Sequence, residues 1–309
     1  MSTVAVGGSG EAAARLSRGG GLGERGRMIA AYCRRNPQLV VGMVMLFALL
    51  SIGWFGPLVI DPKRSAPLSD VPAQSPSLAY PLGTDDQGRN LLAVAVVGLP
   101  LTMKVGFIAG GVGVGIGIVL GFLAGYLGGP VDTVIRGVAD VLLTVPGLVV
   151  LVIISSSIKG LISVEVMALV VASLAWMWPT RTIRSQVLSL RERAYVQMAK
   201  MSGMKTHEII FLELMPNLLP YLAASFVGAV GSAVLASVGL EALGLGPQNQ
   251  PTLGMTIYWF FSFNALIRGL WWWWLMPIVL IVLLFISLFL ISAGLDEIAN
   301  PRVRRSAGV

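Results

Sequence analysis

Two sets of side chains have the types and spacing to do chemistry. Asp132, Arg136 and Asp140 stand at i, i+4 and i+8. A helix would place them on one face, where Arg136 can pair with either acid. An acid at membrane depth is costly and is by default a substrate or proton site. With an arginine one turn away, we read a structural ion pair instead, and expect Asp132 to cap its own helix. The second set is the polar stretch 191–216, which holds His207, the only histidine. No Gly-x4-Gly-Lys-Ser/Thr phosphate loop occurs, so the chain lacks the common ATPase signature. Cys33 is the only cysteine, so no disulfide framework forms within the chain. No metal site is expected.

The elements that position these residues are apolar. Of 309 residues 55% are hydrophobic and 12% charged. A soluble domain carries about 25% charged residues, so the expected solvent is lipid. Apolar runs near the ~20 residues that cross a bilayer recur. They lie at 38–60, 105–127, 132–158, 164–180, 218–243 and 271–291, which predicts an all-α integral membrane protein with six spans. The first run is too long for the core of a signal peptide, so it is read as an uncleaved span behind a disordered basic tail, 1–36. Residues 37–103 form that span plus an outer loop, whose part 61–90 is rich in turn residues. Residues 104–293 form a five-helix core, and 294–309 a polar, basic tail. Pro146-Gly147 predicts a kink. Residues 255–263 are apolar but too short to span, so 244–268 is read as a re-entrant or interfacial loop.

Gly113, Gly117, Gly121 and Gly125 recur every four residues. Small residues at that spacing let helices approach closely in lipid, so this face is an expected helix interface. If the N-terminus is inside, 16 of the 22 Lys and Arg fall on the cytoplasmic side. That bias follows the positive-inside rule. It explains the net charge of +7 without nucleic acid, since a basic inner face beside anionic lipid is ordinary. Both termini and 191–216 are then cytoplasmic.

Within 191–216, the residues from Arg193 to Ser202 favour a helix with an apolar subset at Tyr195, Val196, Met198 and Ala199. Gly203 should break it, Thr206 can cap a second helix with Glu208 in its first turn, and Pro216 and Pro220 should mark the passage into the fifth span. So many apolar side chains need cover from the bundle, from lipid headgroups or from another protein. The spacing resembles the signature of membrane subunits of ATP-binding-cassette importers: Glu-Ala-Ala, three residues, Gly, nine residues, Ile, one residue, Leu-Pro. Gln197-Met198-Ala199, Gly203, Glu213 and Met215-Pro216 stand at those positions. Tyr80 to Asn90 is similar to the His-Pro-Phe/Leu-Gly-Thr-Asp-x-x-Gly-Arg-Asp segment of the second permease of dipeptide, oligopeptide and nickel importers. The third-helix pattern Gly128-Gly129, Asp132, Arg136, Asp140, Pro146-Gly147, the Gly244-Leu245-Gly246 turn and Pro301-Arg302 resemble the same family.

The resemblance implies a type I importer permease fold in a bacterial inner membrane and a non-catalytic subunit. It implies a homologous permease partner, two ATPase subunits that bind ATP and magnesium, and an extracytoplasmic solute-binding protein. This chain would bind no cofactor itself. Tyr195, Gln197, Met198, Ala199, Gly203, His207, Glu208 and Pro216 would couple it to an ATPase. Peptides are the implied substrate, with nickel or oligosaccharides as alternatives. A stand-alone secondary transporter would need intramembrane ionisable residues, which the spans offer sparingly. A scaffold subunit would need no docking element.

Overall fold

The computed structural model describes residues 36–299, and every named element in them is helical. All but the last residue of the basic tail 1–36, together with Pro301-Arg302 and most of the tail 294–309, lies outside the described residues. In chain order the helices are α1 (Pro37–Val59), α2 (Leu91–Leu127), α3 (Gly129–Thr144), α4 (Gly147–Ser157), α5 (Val164–Ala175), α6 (Met177–Arg191), α7 (Ala194–Met201), α8 (Met215–Ala242), α9 (Leu253–Ser262) and α10 (Trp271–Ala299). Four stretches are long and apolar enough to cross a membrane: α1, α2, Thr206–Ala242 and most of α10. Two bent pairs, α3 with α4 at 86° and α5 with α6 at 42°, raise the count to six if each pair is one span.

α2 is the axis of the bundle. It begins at Leu91, well before the apolar window starting at 105, because Asn90 caps it: the Asn90 carboxamide oxygen accepts from Leu92 N at 3.0 Å and Ala93 N at 3.4 Å. At 37 residues it is about 55 Å long. Pro100 sits inside it, and Lys104 is held by an ion pair with Glu165 of α5, so neither ends the helix. The glycine face meets the end of α5 at Gly113 and α6 at Gly117, Gly121 and Gly125. A Cβ on Gly113, Gly117, Gly121 or Gly125 would lie 2.6, 2.5, 3.0 or 2.8 Å from the Cβ of Ala175, Pro179, Ile183 or Val187. Nothing larger than hydrogen fits at that separation. α8 packs on another side of α2, and α1 lies in contact with α10.

Loop 61–90 is ordered around one buried acid. Asp85 accepts from Gln87 N (2.9 Å), Arg89 N (2.8 Å) and Arg89 Nε (2.5 Å). Burial pushes its carboxyl up, against the pull of Arg89. Asp86 pairs with Arg268, and Trp272 Nε1 donates to Thr84 O at 3.1 Å, tying the loop to the start of α10. This is the far end of the bundle; residues 192–214 occupy the near end. At the far end Glu241 is fully buried. Its carboxylate accepts from the Thr252 hydroxyl and from Met255 N (3.2 Å), and Leu253 N donates to Thr102 Oγ1 of α2 at 3.0 Å. α9 is thereby pinned to α8 and α2.

Three expectations are corrected. The N-cap of α3 is Gly128, and Asp132 sits in the first turn. Pro146-Gly147 separates two helices at 86° rather than kinking one, since Pro146 cannot donate the N–H that would continue α3. The acid buried within a spanning helix is Glu241; the Asp140 side chain is 44% exposed.

Replacing Gly117 with leucine should cost ~1–3 kcal/mol through overpacking against Pro179 and Thr180. Thermal unfolding of the purified protein in detergent reads this directly; an unchanged melting temperature would contradict the close contact.

Candidate functional site

The near end is built from the α6–α7 turn, the α7–α8 turn and the last turn of α2. α7 closes in a Schellman arrangement: Gly203 N donates to Lys200 O (3.1 Å) and Met204 N to Ala199 O (3.2 Å). Gly203 has φ +82°, with open space around it. Lys205, rather than Thr206, is the next N-cap residue, and the Glu208 carboxylate accepts its N–H at 2.7 Å. The chain then runs without a break from Thr206–Glu208 through a π-helical turn, Ile209–Leu214, into α8. Pro216 and Pro220 do not interrupt it. Pro216 has no N–H to return to Leu212 O, and a widened turn just before a proline relieves the clash of its ring with the preceding turn.

An apolar core holds this assembly. Val196 and Ala199 of α7 pack with Phe122 of α2, Ile183 and Val187 of α6, and Ile209, Leu214 and Leu218 leading into α8. Polar contacts supplement it. Arg184 grips Asp132 through both Nε and Nη2, the latter at 2.6 Å, joining α6 to α3. The sequence let Arg136 pair with either Asp132 or Asp140, and the structure takes the second option. Arg136 reaches only Asp140, at 3.9 Å, and Arg181 lies 3.6 Å from the same acid, all with half-exposed side chains.

The residues singled out for docking divide. Met198, Gly203, His207 and Pro216 are exposed. Ala199 is buried in the core. Gln197 turns inward, its Nε2 donating to Arg191 O at 3.1 Å, and Glu208 is spent on its cap. Tyr195 is half-buried, with a hydroxyl lacking a hydrogen-bond partner among the described residues. Burial pushes its phenol up, and the Glu213 charge adds to this. Phe211 and Leu212, which the sequence marks as apolar residues needing cover, are 61% and 65% exposed, and Met201, which it passes over, is 88% exposed. Met198 and Met201 at i, i+3 were a legible signal for one outward stripe.

Behind this end an open groove of about 800 Å³ follows one face of α8. Tyr221, Ser225, Gly228, Ser232, Ala236 and Gly239 line it at helical spacing, with Leu148, Leu174 and Trp178 opposite. Its wall is apolar with scattered hydroxyls and one acid, Asp296.

Residues 117–305 match the family of binding-protein-dependent transport system inner membrane components. The chain belongs to this family. It is 29% identical over 215 residues to the dipeptide transport system permease protein DppC of Alkalihalophilus pseudofirmus, covering 70% of each chain. It is 27% identical over 275 residues to DppC of Bacillus subtilis, covering 88% of this chain and 84% of that one. It is 30% identical over 175 residues to the oligopeptide transport system permease protein OppC of Mycobacterium tuberculosis, covering 57% and 60%. As an inner membrane component it is a multi-pass permease subunit, and the apolar helices agree with that placement.

The two ion pairs of this transport component should differ in weight. Arg184→Ala leaves Asp132 unpaired at a site where both side chains are 18% exposed. It should lower stability by ~1–3 kcal/mol, whereas Arg136→Ala, at the surface, should cost at most ~1 kcal/mol. Parallel thermal melts give the comparison, and the reverse ranking would overturn the assignment.

Proposed function

We propose that this chain is one half of the membrane pathway of an ATP-driven peptide importer, with six spans and both termini in the cytoplasm. The observation that carries this is the uninterrupted helix from Thr206 to Ala242. Its first turns belong to the docking end, and its body is the wall of the groove. Displacement of the near end therefore moves the pathway wall directly, with no flexible joint between.

In this reading two ATPase subunits bind ATP and magnesium, and one of them takes the surface formed by Met198, Met201, Gly203 and His207. Closure of the ATPases on ATP pushes this surface, and hydrolysis resets it. That is a shift between two packings driven by contacts that differ between them. A homologous permease closes the open side of the groove, and an extracytoplasmic binding protein supplies the substrate. The relatives' names support peptides as cargo. The mixed wall of small apolar residues and hydroxyls suits peptides, because it contacts backbone and varied side chains without selecting a charge.

The test is reconstitution of the chain with the permease, ATPases and binding protein encoded beside it. ATP-dependent accumulation of a labelled di- or oligopeptide in proteoliposomes is the expected outcome. Conduction by the isolated chain without ATP would overturn the reading. Gly203→Trp should insert normally yet reduce uptake about tenfold or more. A side chain at φ +82° costs ~1–2 kcal/mol locally, and the indole adds bulk to the docking face. Undiminished uptake in this variant would remove Gly203 from the docking surface.

A further inference from the structure

Arg191 stands where the docking helix, the helix before it and the axis of the bundle converge. Its Nη1 donates to Gly125 O at 3.1 Å and Tyr126 O at 3.4 Å. These are among the last-turn carbonyls of α2, which have no partner within their own helix. The Ala124 carbonyl is already taken by Gly128 N at 3.2 Å. Arg191 O in turn accepts from Gln197 of α7, and Arg191 Nε is steadied by Glu192 at 3.0 Å. A second cation reaches the same turn of α2: Lys200 Nζ of α7 lies 5.4 Å from the centre of the Tyr126 ring. Both positive groups sit at the negative end of the α2 dipole.

We infer that Arg191 is a positioning residue for transport: it locks α7 to the end of α2, so that a push on the docking surface enters the glycine face as a rigid displacement. The reasoning concerns direction. The apolar contacts of Val196 and Ala199 with Phe122 hold α7 near α2 but do not fix its register, because hydrophobic contact is non-directional. One guanidinium nitrogen, Nη1, shared between two successive carbonyls, together with the Arg191 backbone oxygen bonded to Gln197, supplies the directional contact that apolar packing lacks. Gly125, whose carbonyl it holds, is also the glycine pressed on Val187 of α6. The grip thus acts at the point where the α2–α6 contact begins.

The proposal rests on the importer reading, and the test separates the two. The whole complex is reconstituted with wild-type, Arg191→Ala and Arg191→Lys chains, and uptake and ATP hydrolysis are measured together. Arg191→Ala should still co-purify with the ATPases in the wild-type ratio and hydrolyse ATP. Peptide accumulated per ATP should fall about fivefold or more, the factor expected for loss of about 1 kcal/mol of coupling. Arg191→Lys should recover part of it. An unchanged ratio of uptake to hydrolysis in Arg191→Ala overturns the proposal, as does loss of both in step with loss of the ATPases. Failure of the wild-type chain to bind ATPases would instead sink the importer reading. A second measurement does not depend on the variants folding. Spin labels are placed at Leu127 and Ala194 after Cys33→Ser, and followed by electron paramagnetic resonance with and without ATP in the otherwise wild-type complex. A separation unchanged through the cycle supports the lock; one that changes with nucleotide refutes it.

Discussion

Everything in this bundle is arranged about the contact of α2 with the end of α5 and with α6, where four glycines at four-residue intervals lie against Ala175, Pro179, Ile183 and Val187. In lipid no hydrophobic force pulls two apolar helices together, so association depends on how close their backbones can come. The glycines remove the side chains that would hold α2 away. Close approach then brings other groups into reach. Arg191 can meet the final carbonyls of α2, and Phe122 can join the same core as Val187 and Val196. A single methyl at Gly113, Gly117 or Gly125 would force the neighbouring helix to shift.

Much of this was legible in the sequence, and the reason is physical. The spans follow from length and apolarity. The α2–α6 interface follows from small residues at helical spacing, and the break at Gly203 from a residue that tolerates positive φ. The near-end motif and the ordered Tyr80–Asn90 loop carry fixed spacings because their backbones are bonded to their own side chains, as at Asp85 and Asn90.

The misreadings came from partners distant in sequence. Arg136 was read as a partner for either acid one turn away; it reaches Asp140, while Asp132 is held by Arg184, 52 residues away. Asp140 looked buried because it lies in a span; only packing shows that its side chain is half-exposed and that Glu241 is the enclosed acid. The early start of α2 was hidden because Lys104 ended the apolar window, and its counter-charge, Glu165, lies on another helix. Pro216 does stand in the first turn of α8, but the π turn before it, Ile209–Leu214, left no mark in the pattern. A local pattern cannot reveal which of two carboxylates a folded bundle will enclose.

The Glu241 clamp bears on how the chain is made. α9 has ten residues, about 15 Å of helix, and cannot cross a bilayer. Its first turn is satisfied only by Thr252, Glu241 and Thr102, the last two on helices made before it. α9 therefore has no finished binding place until α2 and α8 are both inserted and paired. Without that pairing the first turn of α9 loses its partners and the Glu241 carboxylate loses the groups that satisfy it.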